Sequence, residues 1–298
     1  MVTLIVGKNS QIGKELINLI KSDGKDFLFL SSSELDLLNK DEIIKEIKNR
    51  QPNLIINLAA YTDVDRAENN KDLCFRVNAD GPLHLSEAAK NIGANLIHIS
   101  TDYVFGEQGE GPFFSDDKTL PINVYGSSKL KGEQNILNNN LDSIIIRTSA
   151  LFSSFNKNFV KNITHKILNG DDLRVVSDQK ISLTFAGDLA KFIYYIITND
   201  LLNDLKETNR IIHFTNIGDT NWHEVASFIK NHLKQKSLIT SKIIPISSNE
   251  WKSDAKRSHD TRLGIDTNLF NSINVELLDW KSRVSEVVDI ELSKLGYE

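Results

Sequence analysis

The chain has 298 residues, 40% of them hydrophobic and 25% charged, with a formal net charge of -5. That composition suits one large α/β domain, or a nucleotide-binding domain with a smaller companion, and shows no disordered or low-complexity texture. Acids and bases are interspersed, so no basic face points to nucleic acid. A single cysteine, Cys74, excludes an internal disulfide and fits a reducing compartment. The run Val2–Val6 is too short for a secretory signal, and the most apolar later run, around Phe192–Ile197, falls far short of a membrane span. A cytoplasmic location without membrane or nucleic-acid partners is therefore expected. The seven histidines stand singly, without the paired spacing of a zinc site.

In chain order, Val2–Val6 reads as a buried strand, Gly7-Lys-Asn-Ser10-Gln-Ile-Gly13 as a turn, and Lys14–Ile20 as a helix. Strand, glycine turn and helix in that order aim helix N-terminal amides at an anion, which in a dinucleotide fold is the cofactor pyrophosphate. Phe27–Leu30 is a second strand ending in Ser31-Ser32-Ser33. A carboxylate there would bind a ribose 2′-hydroxyl, whereas serines admit a 2′-phosphate and favour NADPH over NADH. A charged helix over 40–50 and a third strand, Asn53–Ala60, follow; its small end residues let backbone approach a flat ligand closely. A long helix runs to Asn91, a strand over Asn95–Ser100 leads to Thr101-Asp102-Tyr103-Val104-Phe105, and Ser143–Arg147 is a further strand. The alternation predicts a Rossmann-type, doubly wound parallel sheet over residues 1–150.

Beyond 150 the pattern loosens. Helices are expected from Asn158 to Leu168 and from Ala186 to Ile197, the segment over about 170–200 packing back on the sheet. Ile211–Phe214, a helix from Trp222 to Leu233 and the remainder suggest a smaller α+β substrate lobe over 151–298.

Between these halves lies Tyr125-Gly-Ser-Ser-Lys129, opening a helix. Four residues make about one helical turn, so Tyr125 and Lys129 share a face. An ammonium near a phenol favours the phenolate, and a tyrosine so tuned exchanges protons with a carbonyl or alcohol oxygen.

Together these segments resemble the extended short-chain dehydrogenase/reductases, and within them the dTDP-4-dehydrorhamnose reductase family. The carriers are Gly7–Gly13, Asn57–Glu68, Ser100–Phe105 and Asn123–Glu133. The resemblance implies NADPH-dependent reduction of the C4 ketone of a nucleotide-linked 4-keto-6-deoxyhexose. It casts Tyr125 as proton donor, Lys129 as the residue tuning it and holding the nicotinamide ribose, and Thr101 as a hydrogen-bond donor to the ketone oxygen. Cofactor contacts map onto Gly7, Ser10, Gln11, Ile12, Gly13, Asp36, Leu37, Ala59, Ala60 and Thr62, besides Tyr125 and Lys129. Substrate contacts map onto Thr101, Val104, Asn158 and Arg257, the last toward the diphosphate. Tyr103 stands beside Asp102 where related dehydratases carry a second acid. Family members can bind Mg²⁺ through carboxylates at a subunit contact, a position the resemblance maps onto Glu15, and no metal is assigned; the resemblance leaves monomer and homodimer open.

Three departures stand out. Ser10 replaces a glycine beside the pyrophosphate, Ala150 replaces a tryptophan against the sugar, and Lys180–Thr184 replaces a Gly-x-Pro turn. They leave as alternatives a non-catalytic cofactor-binding regulatory subunit and a nucleotide-sugar epimerase.

Overall fold

The computed structural model describes residues 2–20, 27–106, 108–140, 142–235 and 240–297. β1 (Thr3–Val6) is buried along its length and ends at Gly7, whose φ is +99°. Ser10 caps α1 (Gln11–Ile20), its carbonyl accepting from the Lys14 amide and its hydroxyl from the Gly13 amide at 3.0 Å. β2 (Phe27–Leu30), α2 (Lys40–Arg50) and β3 (Leu54–Asn57) follow. Two short helices, α3 (Val64–Asn69) and α4 (Lys71–Phe75), run through a π turn at Arg76–Asp80 into α5 (Gly81–Ile92). β4 (Asn95–Thr101), a 3₁₀ turn at Asp102–Val104, α6 (Val124–Asn139) and β5 (Ser143–Thr148) complete the first half.

The second half holds β6 (Leu151–Phe152), α7 (Phe159–Leu168), β7 (Leu173–Val176), β8 (Lys180–Ile181), β9 (Thr184–Phe185), α8 (Ala186–Thr198) and α9 (Leu202–Thr208). Then come β10 (Ile211–His213), β11 (Thr220–Asn221), α10 (Trp222–Lys234), β12 (Ile243–Ile246), α11 (Thr267–Ser272) and α12 (Trp280–Lys294).

Six strands form one parallel sheet in the order β10-β5-β4-β3-β1-β2. The winding direction reverses between β1 and β3, where open α/β sheets bind ligands beyond the strands' carboxyl ends. One face packs Ile5, Ile56, Ile97 and Ile146 under α1 and α8; the other packs Leu4, Val6, Ile55 and Leu96 under α2, α5 and α6. A second core, built from α7, α10 and α12 around Phe185 and Trp280, lies in the second half.

β10 does not belong to the smaller lobe, where the sequence reading put it. It pairs in parallel with β5, Ile211 opposite Ile145 and His213 opposite Arg147, and forms the sheet's edge. An aliphatic β-branched run marks a strand but does not name the sheet it joins. Phe192 of α8 stacks on Phe214 at 4.9 Å and meets Phe270 of α11 at 5.3 Å, so late residues close the core of the first sheet.

Glu15 of α1 is half-buried and faces α8 and α12. Burial, then Glu286 and Asp188, push its carboxyl up to about 7 from 4.5, against Lys191 and Lys294. Its folded pKa lies above the unfolded one, so charging Glu15 opposes folding, by nothing below the unfolded value and in full above the folded one. Glu15→Gln should therefore raise the melting temperature at pH 8 and leave it unchanged near pH 4. An equal rise at both pH values would assign the effect to packing instead.

Candidate functional site

The turn after β1 works because two glycines permit contacts no side chain would. A Cβ at Gly7 would lie 2.7 Å from the Ala59 amide nitrogen, and one at Gly13 2.6 Å from the Gly7 carbonyl. The ends of β1 and β3 and the start of α1 thereby come together. Ser10 spends its hydroxyl on the Gly13 amide as an N-cap, which leaves the helix's first amides, those of Gln11 and Ile12, for an anion. This is a cradle that fits a pyrophosphate, with Ser10 as a helix cap rather than an obstruction.

On the other side, Asn123 caps α6 by accepting from the Gly126 amide at 2.8 Å. A Cβ at Gly126 would meet the Tyr103 carbonyl oxygen at 2.1 Å, and one at Gly132 would meet that of Asn78 at 2.2 Å. α6 therefore rests directly on the turn after β4, and the Tyr125 ring stands edge-on to Tyr103 at 5.6 Å. Tyr125, Lys129 and Thr101 line one cavity of about 390 Å³ together with Ser10, Gln11, Ile12, Ala60 and Thr62.

The electrostatics depart from the expectation that Lys129 lowers the phenol's pKa. Lys129 is 1% exposed and its Nζ donates to the Ile99 carbonyl at 2.7 Å and lies 3.1 Å from His98 Nε2. Burial brings that amine down to about 8. Enclosure of the Tyr125 phenol raises its pKa, opposed only in part by the Thr101 hydroxyl. Desolvation outweighs charge here because the lysine is engaged with β4 rather than with Tyr125. Asp102, 3% exposed, accepts from Thr101 at 3.0 Å and Ser149 at 2.7 Å, and burial raises its carboxyl despite them.

Other expected contacts are not brought to the cavity. The Val104 side chain is fully buried among Phe105, Phe113 and Leu263. Leu37 belongs to the core beneath α5, and exposed Asp36 turns its carboxylate onto the Leu38 amide. Asn158 caps α7 and ties it to the Gln11 side chain at 3.1 Å. Short polar residues before a helix often serve as caps, and here that role takes up the side chain. Ala59 contributes the backbone against Gly7. After β2, Glu34 folds back to accept from the Ser31 amide and hydroxyl at 2.9 and 2.7 Å, with Lys8 at 3.8 Å.

Arg257 sits where two further cavities meet. A small one of about 100 Å³ shares Asp102, Tyr103 and Ala150 with the first cavity, and shares Gln179, Arg257 and Ser258 with an outer groove of about 760 Å³. The three are neighbours in the fold, and Ala150, with φ at +38°, lines both the first and the small one. Arg257 is clasped by Asp65 at 2.9 and 3.1 Å. The same carboxylate accepts from the Ser253 hydroxyl and the Ala255 amide, and the Arg257 hydrogen bond holds it far below the usual carboxylate range. The sequence reading did not single out Asp65, although it lies inside the Asn57–Glu68 motif.

The chain matches, over residues 1–292, the family model described as the RmlD substrate binding domain. It belongs to that family. A dTDP-4-dehydrorhamnose reductase of Aggregatibacter actinomycetemcomitans is 34% identical over 287 residues, covering 95% of this chain and 97% of its own. The solved structure of a Clostridium acetobutylicum dTDP-4-dehydrorhamnose reductase superposes with a TM-score of 0.88 at 31% identity, covering 97% of this chain and 99% of its own. That of Bacillus anthracis dTDP-4-dehydrorhamnose reductase, in complex with NADP, gives 0.87 at 29%, covering 98% and 100%.

Magnesium in this RmlD family member would have to use the acids around Glu15. Asp188 and Glu286 are taken up by Arg283 at 2.8 and 2.6 Å, and Lys191 lies 3.8 Å from Asp188. Carboxylates so neutralised do not fit a divalent cation, and no step is derived through one.

The contact between α6 and Tyr103 can be tested directly. Gly126→Ala should lower stability to urea by about 1–3 kcal/mol through overpacking. An unchanged midpoint would mean that α6 can move off Tyr103 without cost.

Proposed function

We propose that this RmlD family member reduces, with NADPH, the C4 ketone of a nucleotide-linked 4-keto-6-deoxyhexose. One observation carries the reading: the Thr101 hydroxyl and the Tyr125 phenol line the same cavity at the carboxyl ends of the parallel strands, beside the α1 cradle. NADPH is favoured over NADH by exposed Ser32 and Ser33 after β2. When bound, that cofactor supplies hydride to the carbonyl carbon.

This chain's residues supply the rest. Tyr125 gives its phenolic proton to the carbonyl oxygen, and the raised pKa means that the proton is present to be given. Thr101 donates its hydroxyl hydrogen to the same oxygen as negative charge develops there, exchanging its present bond to Asp102. Asp102 stays behind, held by Ser149, and orients Thr101. Arg257 presents a fixed guanidinium to the diphosphate, and the neighbouring cavities past Ala150 give an elongated ligand room from the ketone to the outer groove. Tyr103 beside Asp102 leaves no second acid there for a dehydration.

Purified protein mixed with NADPH and dTDP-4-dehydrorhamnose should lose absorbance at the reduced-nicotinamide band. Tyr125→Phe should cut that turnover by about 10²–10⁴-fold while NADPH still binds. Undiminished turnover would remove Tyr125 as donor. Tight NADPH binding without oxidation by several 4-ketosugar nucleotides would sink the reductase reading.

A further inference from the structure

Helix α3 is six residues long, yet its side chains reach both ends of the site. Asp63 caps it by accepting from the Arg66 amide at 3.1 Å, and Ala67 is fully buried. In its first turn, Asp65 accepts from three residues of one five-residue segment. These are the Ser253 hydroxyl at 2.7 Å, the Ala255 amide at 3.1 Å and the Arg257 guanidinium at 2.9 and 3.1 Å. Three residues on, Glu68 Oε1 accepts from the Val124 amide at 2.9 Å. Val124 opens α6, so its amide is one of the donors that find no partner within the helix. A carboxylate at that helix end is favoured by the helix dipole as well. Asn123 closes the triangle, its Oδ1 accepting from the Gly126 amide at 2.8 Å while its Nδ2 donates to the Lys256 carbonyl at 2.9 Å. Helix α3, the segment over 253–257 and the start of α6 are thus tied to one another in pairs by hydrogen bonds.

We propose that α3 fixes the span between the phosphate end and the ketone end of the substrate, with Asp65 positioning Arg257 and Glu68 positioning Tyr125. Both are positioning residues, and the assignment rests on reading Arg257 as the diphosphate ligand and Tyr125 as the proton donor. A nucleotide-linked ketosugar is held at two places at once. Its carbonyl oxygen has to reach the phenol while its phosphates sit on the guanidinium, so an error in the distance between them misplaces the reacting atoms. Asp65 takes a hydrogen from each Nη atom and also ties down residues 253 and 255, so the planar fork keeps one orientation. The same carboxylate subtracts charge from Arg257, which by itself would weaken the hold on a diphosphate. It is 43% exposed, however, so water screens that loss, and orientation outweighs it. Glu68 acts at the other end, holding the first turn of α6, where Tyr125 follows Val124 directly.

Calorimetry with dTDP, which carries the phosphates and no ketone, should show Asp65→Asn binding about tenfold more weakly than wild type, the worth of one hydrogen bond to a charged group. Glu68→Ala should bind dTDP as the wild type does. With NADPH and dTDP-4-dehydrorhamnose the pattern should invert. Glu68→Ala should lower kcat by roughly ten- to a hundredfold at unchanged KM, and Glu68→Gln, whose amide oxygen still accepts from Val124, should restore it. Asp65→Asn should raise KM and leave kcat unmoved. A helix that only stabilises the fold would move both parameters together in both variants, and that result would overturn the proposal. So would dTDP binding that is absent in wild type, or unchanged or tightened in Asp65→Asn. Should Asp65→Asn not fold, Ser253→Ala, which removes an exposed donor from the same carboxylate, should weaken dTDP binding in its place, and unchanged affinity there overturns the proposal. A wild type without ketone turnover would sink the reductase reading, and the dTDP measurement then decides by itself.

Discussion

The structure depends on how closely α6 lies against the end of β4. Gly126 and Gly132 remove the side chains that would hold the helix off Tyr103 and Asn78, and Asn78 in turn bonds the Tyr61 amide and the Ser128 hydroxyl. The helix is also bound from its far side by Glu133, which meets Arg147 of β5 through paired bonds at 2.7 and 3.0 Å. Both partners are almost wholly enclosed, at 1% and 3% exposure. Losing either would strand a charge and cost about 3–5 kcal/mol. Lys129, a turn earlier, is buried with its amine against two polar neighbours, the Ile99 carbonyl and the His98 ring.

Much of this was legible in the chain because it is local. Aliphatic β-branched runs announced β1, β3, β4 and β5, and Asn123 and Asn158 stand just before helices they cap. The glycines at 7 and 13, and the Tyr125–Lys129 spacing, located the cavity's two walls. What was not legible depends on which distant residues meet. The partner of Lys129 follows from the register that sets Asn57 opposite His98. Asp65 meets Arg257 across nearly two hundred positions of sequence. The side chains of Val104 and Leu37 lie in the core, because a motif names a position while the direction of its side chain is set by the core around it.

The Asp65–Arg257 clasp joins the first turn of α3 to the segment over 253–257. It serves two ends at once. It fixes the geometry of a guanidinium lining the outer groove, and it binds the helical entrance of α3 to late chain, so the walls of the cleft are held by an ion pair as well as by packing. Ser10, too, puts its side chain to local use, capping α1 through the Gly13 amide.

The edge position of β10 has a consequence for biosynthesis. Until residue 213 has left the ribosome, β5 has no neighbour on its outer side, and the nascent sheet presents a bare row of amides and carbonyls. Until then the sheet of the amino-terminal half lacks its sixth strand. Its hydrophobic surface waits for α8, Phe214 and Phe270 to arrive, a window in which a chaperone has most to protect.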